Sequence, residues 1–458
     1  MNGTKILASY LSQLKYEDLP EDAIIQIKKA FLDWVGLTIS GSREFPPAVL
    51  RKVLLADDWG HEATILCENE KGPCTLRKSA LNAAFVNGAA CHAQDFDDLH
   101  NASIIHLECV VVPPAFALAE EKKVSGRELM TAIAAGYELG GRVGESIQPD
   151  SYYFWHTTGT VGTLAAAASA ARILQLDENQ YLHALGSAGT QAAGLWDFVR
   201  QGAMSKPLHI GKACYGGVLS SLIAKDGYTG STTILEGEKG FCRAMMKEPK
   251  WEKLTENLGK DFKIIHNSIK PWPCCKHSHS AIYGISELMR KNHLKPEEIR
   301  KITLHVNDIT DSLINNEKPA TPYGCKFSIQ YCVSCMAAKG KVTIDDFREE
   351  SIHDSSIQKI MEKVNVARDG KMTAIYNDHP DRLASRVDVE WGEGRKDFLF
   401  VPYPKGDPEN PMTFEEIAEK GHNLVDSMIG KETYDRVVDL AAHLEDVKNM
   451  DDEFGMIF

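Results

Sequence analysis

The sequence has no long apolar run, no cleavable leader pattern and no excess of basic residues. No stretch approaches the roughly eighteen consecutive apolar residues that cross a bilayer. The N-terminus, MNGTKILASYLSQLKYED, lacks the apolar segment and small-residue cleavage site of a signal peptide. The net charge is −13, whereas nucleic acids and anionic membranes bind basic surfaces. We therefore expect a cytoplasmic protein that binds neither nucleic acid nor membrane.

Several common catalytic signatures are also missing. The sequence contains no Walker loop, no GxGxxG after a strand, no GxSxG elbow and no HExxH. Proton chemistry on a small molecule is the class that stays open. The eleven cysteines are an odd number scattered over 458 residues, which argues against a disulfide framework and for reduced thiols that pack as small apolar groups.

The first 265 residues have the pattern of successive helices. After Pro20, apolar residues recur at helical spacing, at Ile24, Ile27, Phe31 and Val35. Segments rich in Ala and Gly, at 160–171, 184–194 and 213–224, predict helices that approach one another closely. N-terminal capping patterns predict further helix starts at Ser125, Asp177 and Thr413.

The pattern changes after residue 271. Residues 301–306 (KITLHV) and 386–391 (RVDVEW) alternate apolar and polar side chains, which predicts strands, and 399–401 is a further β-like run. The predicted fold class is mainly α with an α+β part. A large helical domain, residues 1–265 and 405–458, is interrupted by a smaller α+β domain at 266–404.

Reactive side chains are concentrated first in CHAQDFDDLH, residues 91–100, and continue to His106. Three carboxylates within four residues repel one another, so something must neutralise them or donate hydrogen bonds to them. An acidic run is usually hydrated surface, but this one follows the apolar segment 83–90, which favours a cleft. Two of its carboxylates together with His100 and His106 could also bind a divalent metal.

Two more stretches have both an ordinary and a functional interpretation. WHTTGTVG at 155–162 precedes an Ala-rich helix, and its histidine and hydroxyls either cap that helix or form an anion site. Lys206 precedes Pro207, which predicts an extended backbone. Taken alone, spacing favours a packed histidine at 156 and a solvated lysine at 206.

The densest stretch is KPWPCCKHSHSA, residues 270–281, in which prolines stiffen the backbone around two cysteines, two histidines and two lysines. Adjacent cysteines lack the usual spacing of structural zinc sites. Cys332 and Cys335 do have it, but they lie in a segment with a helical pattern, where core packing is the commoner role. The neighbouring run FSIQY, residues 327–331, either reaches a ligand or packs, and spacing does not decide between these roles.

In this order, the stretches resemble the MmgE/PrpD family of 2-methylcitrate dehydratases, cis-aconitate decarboxylases and iminodisuccinate epimerases. The matching motifs are HAQDFDD at 92–98, HTTGTVG at 156–162, GTQAAG at 189–194, KPLH at 206–209, KPWPCC at 270–275 with His279, and NPMT at 410–413. The resemblance implies an all-helical domain formed by both chain ends, an inserted α/β lid and a homodimer. It also implies catalysis without metal or cofactor on a small di- or tricarboxylic acid, in a cleft between the domains.

The resemblance also implies which residues move protons. Asp95 matches the first aspartate of the family's DFDD, and His106 matches a histidine that follows it. We expect His106 to be the base and Asp95 to orient it or a neighbour. His156 is a further catalytic candidate, and His279, which opens the helix of the lid, is a second proton-transfer candidate.

The substrate is expected to meet cations, because a molecule with two or three carboxylates is costly to desolvate otherwise. Lys206, Lys270 and a protonated His156 are the expected clamp, and they would also stabilise charge that develops next to a carboxylate. The remaining substrate-binding candidates are Cys275, Gln330 and Tyr331.

Four functions are compatible with these residues. Dehydration of a citrate-like acid, as by 2-methylcitrate dehydratases, is preferred. Leu99 stands where the family usually has Thr and Cys275 where it tends to have His, which argues against cis-aconitate decarboxylation. An iminodisuccinate-type epimerase is the other enzyme alternative. A different class is a zinc-stabilised binding protein that uses a ligand set drawn from Cys274, Cys275, His277, Cys332 and Cys335.

Overall fold

The computed structural model describes residues 2–56, 60–68, 73–74, 76–201 and 203–458. It forms two compact units. Unit 1 contains residues 1–267 and 413–458, and unit 2 contains residues 268–412. The sequence-based domains divide the chain at 265/266 and 404/405. In the described residues, no helix is both long and apolar enough to cross a membrane.

Unit 1 is built from helices contributed by both ends of the chain, and its short strands β1 and β2 pair antiparallel. Its helices are α1 Gly3–Gln13, α2 Glu21–Gly41, α3 Phe45–Leu54, α4 Ala80–Cys91, α5 Glu108–Lys122, α6 Gly126–Ile147, α7 Thr157–Ile173, α8 Glu178–Gly189, α9 Ser205–Lys225, α10 Phe241–Met245, α17 Phe414–Ile429, α18 Lys431–Ala442 and α19 Met450–Gly455. The short strands of the chain's first part are β1 Ala63–Ile65, β2 Leu76–Lys78, β3 Leu99–His100 and β4 Asn267–Ser268.

The predicted helix starts are confirmed. The side chains of Ser125, Asp177 and Thr413 accept hydrogen bonds from backbone N–H groups three residues ahead, at the starts of α6, α8 and α17. In each case the third residue of the helix reaches back to the cap, which satisfies a second N–H group that the helix leaves unpaired. Local sequence therefore determines where these helices begin.

The core of unit 1 depends on small residues. Helix α7 is buried along almost its whole length and packs between α6 and α9. A Cβ atom on Gly217 of α9 would lie 2.4 Å from the Cβ of Ala166 in α7. Residues without bulky side chains therefore allow these helices to approach, as the Ala/Gly-rich segments predicted.

Unit 2 is an α+β unit with a four-stranded sheet in the order β6-β5-β7-β8. β5 pairs with β6 in parallel and with β7 antiparallel, and β7 pairs antiparallel with β8. Helices α11 and α14 pack together, and α11 also packs on β7 and β8. The elements are α11 His279–Asn292, β5 Ile299–Val306, α12 Asp308–Ile314, α13 Pro322–Lys326, α14 Ile329–Lys339, α15 Ser355–Met361, β6 Val364–Arg368, α16 Gly370–Asp378, β7 Ser385–Trp391 and β8 Arg395–Val401.

The fold class predicted from the sequence is confirmed, because the chain is mainly helical with a smaller α+β part. The predicted strands correspond to β5, β7 and β8. Strand β6 was not predicted. It is short and half exposed, and its sequence VNVAR carries too little alternation to indicate a strand.

The first prediction concerns the attachment of the C-terminal segment to unit 1. A Cβ atom on Gly126, at the start of α6, would lie 1.7 Å from the backbone oxygen of Leu444. We expect Gly126→Ala to lower the midpoint of thermal unfolding and to cost about 1–3 kcal/mol, because a backbone atom must move. The control is Gly455→Ala, since nothing lies within 4 Å of a Cβ atom there. Equal midpoints for both variants in scanning calorimetry would contradict this reading of the contact.

Candidate active site

The loop after helix α4 turns sharply and carries three aspartates. One turn of 3-10 helix covers His92–Gln94, and Asp95 then adopts a left-handed backbone with φ 55° and ψ 38°. Asp tolerates that region better than most residues with a Cβ atom. The three carboxylates of Asp95, Asp97 and Asp98 consequently meet different partners, which resolves the repulsion expected of an acidic run.

Asp95 lies against Lys206. The ammonium of Lys206 donates to Oδ1 of Asp95 at 2.9 Å, and the two side chains are only 15% and 12% exposed. The expectation of a solvated lysine with an extended backbone is therefore wrong. Lys206 lies in the first turn of α9, where Pro207 is accommodated because its missing N–H group would have had no helical partner.

Asp97 is enclosed by two histidines. The Nδ1–H of His92 donates to Oδ2 of Asp97 at 2.5 Å, and Nδ1 of His106 lies 3.4 Å from Oδ1. The side chains of Asp97 and His92 have no exposed surface, whereas His106 is 13% exposed. Asp97, rather than Asp95, thus occupies the position that orients His106.

Burial and the two imidazoles set the charge states of this group. Burial alone would raise the pKa of Asp97, but His92 and His106 outweigh it and hold the pKa well below its usual range. Burial lowers the pKa of His92 to about 4, although Asp97 opposes this shift. At neutral pH we therefore assign an ionised carboxylate and a neutral His92 that serves as its hydrogen-bond donor.

Asp98, the third carboxylate, is structural. The hydroxyl of Tyr137 donates to its Oδ2 at 2.7 Å, and the backbone N–H of Glu108 donates to both oxygens at 3.1 and 3.2 Å. Burial, with the nearby charge of Asp97, raises the pKa of Asp98 to about 8. Asp98 therefore fixes the start of α5, and burial favours its protonated form.

His156 stands at the start of α7 as its N-cap residue, where the sequence predicted a helix N-terminus. Its Nδ1 lies 3.3 Å from Nδ1 of His209, and its ring lies 4.6 Å from that of Trp196 and 5.6 Å from that of His92, measured between ring centroids. Burial and the positive charge of Lys206 hold the pKa of His156 well below its usual range. The role of a protonated His156 as a carboxylate clamp is therefore disfavoured.

Three buried imidazole nitrogens of this cluster make no hydrogen bond within the described parts of the chain. They are Nε2 of His92, Nε2 of His156 and Nδ1 of His106, which lies 3.4 Å from Asp97. Buried polar atoms are nearly always satisfied by protein, water or ligand. The arrangement of His92, His106 and His156 around Asp97 is therefore suited to a polar ligand that exchanges protons with it.

The structure does not assemble the expected metal-ligand set that included His100. Among the described residues, His92, Asp97 and His106 are the group whose ligand atoms all lie within 4.8 Å of one another. His100, expected in such a set, instead contacts the hydroxyl of Ser103 at 2.8 Å. Zinc bonds of about 2.0–2.1 Å separate tetrahedral ligands by about 3.3 Å. The 2.5 Å between His92 and Asp97 is instead a hydrogen-bond distance.

The five residues considered for zinc lie in unit 2 and form no such group among the described residues. Nδ1 of His277 lies 2.8 Å from the hydroxyl of Thr310. The thiol of Cys332 donates to the backbone oxygen of Cys325 at 3.4 Å. All eleven cysteines of the chain lie among the described residues, and each is buried and takes part in no disulfide bond. They serve as small core residues, as expected from their number and scatter.

The substrate-site candidates of unit 2 differ in their surroundings. Lys270 and His279 are buried, and the ring of His279 lies 5.2 Å from that of Trp272. Cys275 is 8% exposed, and its backbone N–H donates to the backbone oxygen of Lys326. Their substrate and proton-transfer roles stay predictions.

Tyr331 has contacts typical of packing, whereas Gln330 makes a polar contact and has a buried side-chain oxygen without a partner among the described residues. Tyr331 belongs to the hydrophobic core of unit 2, and its hydroxyl donates to the backbone oxygen of Asp346 at 2.5 Å. Gln330 is buried and donates to Asn315 at 2.5 Å. For Tyr331 these contacts favour packing over the predicted ligand contact.

Sequence reasoning missed Asp97, His92, His209 and Trp196 as members of the cluster. Asp97 and His92 lie inside the motif that drew attention, but spacing cannot tell which of three nearby carboxylates turns toward a histidine. His209 is one helical turn after Lys206, so once α9 is known to begin at Ser205 the two side chains are expected on one face.

Comparison with known proteins identifies the family. A model of the MmgE/PrpD N-terminal domain matches residues 5–254, and a model of the MmgE/PrpD C-terminal domain matches residues 272–446. The chain belongs to the MmgE/PrpD family. The resemblance recognised from the motifs is thereby confirmed, and the family includes both decarboxylases and dehydratases.

Three curated relatives show the range of this family. A cis-aconitate decarboxylase-like protein of Aspergillus oryzae is 27% identical, covering 100% of this chain and 97% of its own. A cis-aconitate decarboxylase of Aspergillus terreus is 27% identical over 96% of this chain and 93% of its own. A 2-methylcitrate dehydratase of Escherichia coli is 24% identical over 61% of this MmgE/PrpD chain and 59% of its own.

The second prediction follows from the buried neutral His92. Because its folded pKa is about 4 and its unfolded pKa about 6.5, the unfolded chain binds more protons between these values. Stability should therefore fall as the pH drops from 7 to 5, by about 2 kcal/mol from this residue. We expect His92→Asn, whose amide still donates to Asp97, to reduce the loss of melting temperature over that range.

The control for this experiment is His293→Asn. His293 is exposed and has a φ of 51°, which Asn tolerates. This variant should keep the pH dependence of the parent protein. An unchanged pH dependence in His92→Asn would contradict the assignment of a neutral, buried His92.

Proposed function

We propose that this MmgE/PrpD protein is an acid–base enzyme, needing no cofactor, that removes a proton next to a carboxylate of a small di- or tricarboxylic acid. The preferred reaction is dehydration of the 2-methylcitrate type, carried out by a homodimer. The observation that carries the proposal is the pairing of the partly exposed His106 with the buried carboxylate of Asp97.

His106 is the base in this proposal. Its Nδ1 lies 3.4 Å from Oδ1 of Asp97. A hydrogen bond from Nδ1–H to this carboxylate would keep the proton on Nδ1 and leave Nε2 free to accept a proton from the substrate. Nδ1 and Oδ1 do not yet form a hydrogen bond, but catalytic hydrogen bonds are often long or poorly aligned before substrate binds and tighten in the complex. A buried carboxylate beside the ring also stabilises the imidazolium that forms.

Dehydration then requires two proton transfers and no external reagent. His106 takes the proton from carbon, the carbon–oxygen bond breaks, and a carbon–carbon double bond forms. The imidazolium of His106 returns its proton to the departing hydroxyl, which leaves as water. Because the same imidazole accepts and donates, the site ends in its starting protonation state.

The positive charge of Lys206 supports charge development in this step. Negative charge grows on a group that is already anionic, which is the main barrier to proton removal next to a carboxylate. Lys206 is near enough to His92 and His156 to lower the pKa of both. Its ion pair with Asp95 fixes this charge beside the histidines.

Decarboxylation is the second candidate, and the comparisons favour it over epimerisation. The decarboxylase relatives match nearly the whole chain, whereas the dehydratases match 53–61% of it. In this reaction a carbon–carbon bond breaks, CO₂ leaves, and protonated His106 would donate a proton to the carbanion. The unusual residues Leu99 and Cys275 argue against the family's usual decarboxylation site.

The deciding experiment is proton NMR in D₂O with chelator-treated protein and four acids: 2-methylcitrate, citrate, cis-aconitate and iminodisuccinate. A new olefinic signal from a hydroxy acid supports dehydration. Loss of CO₂ from cis-aconitate supports the second candidate, and deuterium incorporation without elimination supports an epimerase. If none of the acids reacts, the proposed substrate class is wrong.

The third prediction tests the base. His106→Gln should lower kcat by about 10²–10⁴-fold with little change in KM, because general-base catalysis is lost while the substrate's charged groups are still bound. The control is His443→Gln, because His443 is exposed and also lies beside an aspartate, at 3.3 Å. By contrast, Lys270→Ala should raise KM and lower kcat together. Full activity in His106→Gln would refute the assignment.

A further inference from the structure

A buried lysine in the C-terminal segment contacts the loop that carries the site aspartates. Nζ of Lys420, on α17, lies 2.8 Å from Oδ1 of Asp33 on α2 and donates to the backbone oxygen of Phe96 at 2.9 Å. The same ammonium lies 3.9 Å from the centroid of the Phe96 ring. The side chains of Lys420 and Asp33 are 5% and 2% exposed.

Close packing of α17 on α2 brings this lysine into place. Gly421, the next residue, lies against Gly36, where a Cβ atom would be 3.3 Å from the Cα of Gly421. Helices that meet through glycines leave little space between their backbones. Lys420 therefore reaches past α2 to the loop, more than 300 residues away in the sequence.

Stability alone gives a weak reason for such an ion pair. Taking both charges out of water costs several kcal/mol for each ion, and apolar replacements of similar volume are often neutral or stabilising. The contact that an apolar residue could not supply is the hydrogen bond to Phe96. That residue stands between Asp95, with its left-handed backbone, and Asp97, which contacts the histidines.

We propose that Lys420 is a positioning residue for the active site. By holding the backbone oxygen of Phe96, it fixes the peptide units on either side and so keeps the carboxylate of Asp97 directed at His92 and His106. The inference rests on the proposed function, since it assigns to Lys420 the geometry of the group that supports the base. Asp33 serves as the counterion that makes a buried ammonium tolerable at this place.

The charges around Lys420 agree with this role. Burial raises the pKa of Asp33, and Lys420 opposes this shift. Burial likewise raises the pKa of Glu108 well above its usual range, again against the pull of Lys420. Asp97 lies close enough to influence both acids. Lys420 is therefore the cation of a buried acidic group that includes the carboxylate behind the base.

The test uses three variants of the full chain. Lys420→Met alone leaves Asp33 buried without its cation and risks unfolding. The double variant Asp33→Asn with Lys420→Met removes both charges and should melt near the parent protein. We expect its kcat to fall about 10²-fold with KM within about threefold, because small misplacements of catalytic groups have effects of this size. Asp33→Asn alone keeps the bond to Phe96 and should lose less than about fivefold in kcat.

A matched control comes from Lys28 on α2. Its ammonium contacts Glu445 at 2.7 Å and the backbone oxygen of Ala442 at 2.8 Å. This lysine thus also joins a carboxylate and a backbone oxygen in the C-terminal segment, away from the aspartate loop. Lys28→Met should leave kcat and KM unchanged.

A readout without substrate separates this proposal from the proposed function. The Nδ1 proton of His92, shared with Asp97 at 2.5 Å, should give a low-field imidazole resonance in proton NMR. The double variant should shift or lose this resonance, whereas Lys28→Met should keep it, even if none of the acids proves to be a substrate. Parent-like turnover and an unshifted resonance in a folded double variant would overturn the role of Lys420.

Discussion

The charge on Asp97 is the constraint on which the rest of the site depends. A carboxylate without exposed surface ionises only if donors surround it, and here His92 and His106 approach its two oxygens. Burial keeps His92 neutral at neutral pH, and the neutral ring still donates its Nδ1–H to Asp97. The site therefore has to exclude water, because water around Asp97 would weaken the electrostatic interaction between its carboxylate and His106.

The scaffold meets this condition through close helix packing. The site residues come from the loop after α4, the N-terminus of α7 and the first turns of α9, and α9 packs on both α4 and α7. Gly88 of α4 allows the contact with α9, since a Cβ atom there would lie 2.6 Å from Sγ of Cys214. The abundance of small residues, which first suggested only tight packing, is thus also the reason that histidines from three elements can meet.

The sequence predicted local features well and pairings poorly. The capped starts of α6, α8 and α17 depend on residues within one turn, and all three were correct. The extended backbone predicted for Lys206 was wrong, because a proline in the first turn of a helix cannot be told by sequence from a proline that follows an extended residue.

The choice between Asp95 and Asp97 as partner of His106 could not be made from spacing. It depends on one left-handed residue, Asp95, which rotates the following side chains. Lys420 contacts Asp33 and Phe96, which lie far away in the sequence. No sequence pattern indicates these contacts. Long-range pairings of this kind follow from how helices dock and leave no periodic pattern to detect.

Under the proposed function, dehydration and decarboxylation differ in which bond breaks rather than in the group that moves the proton. Dehydration and decarboxylation both place negative charge next to a carboxylate, so a fixed imidazole–carboxylate pair serves either. Altering Asp97, His92 or Lys420 would remove that pair for every substrate. Uncharged residues can change without loss of this pair. One example is Leu99, which is buried beside the acidic run and has no hydroxyl group. Differences in substrate between relatives should therefore be sought at uncharged positions, and the charged group should vary least.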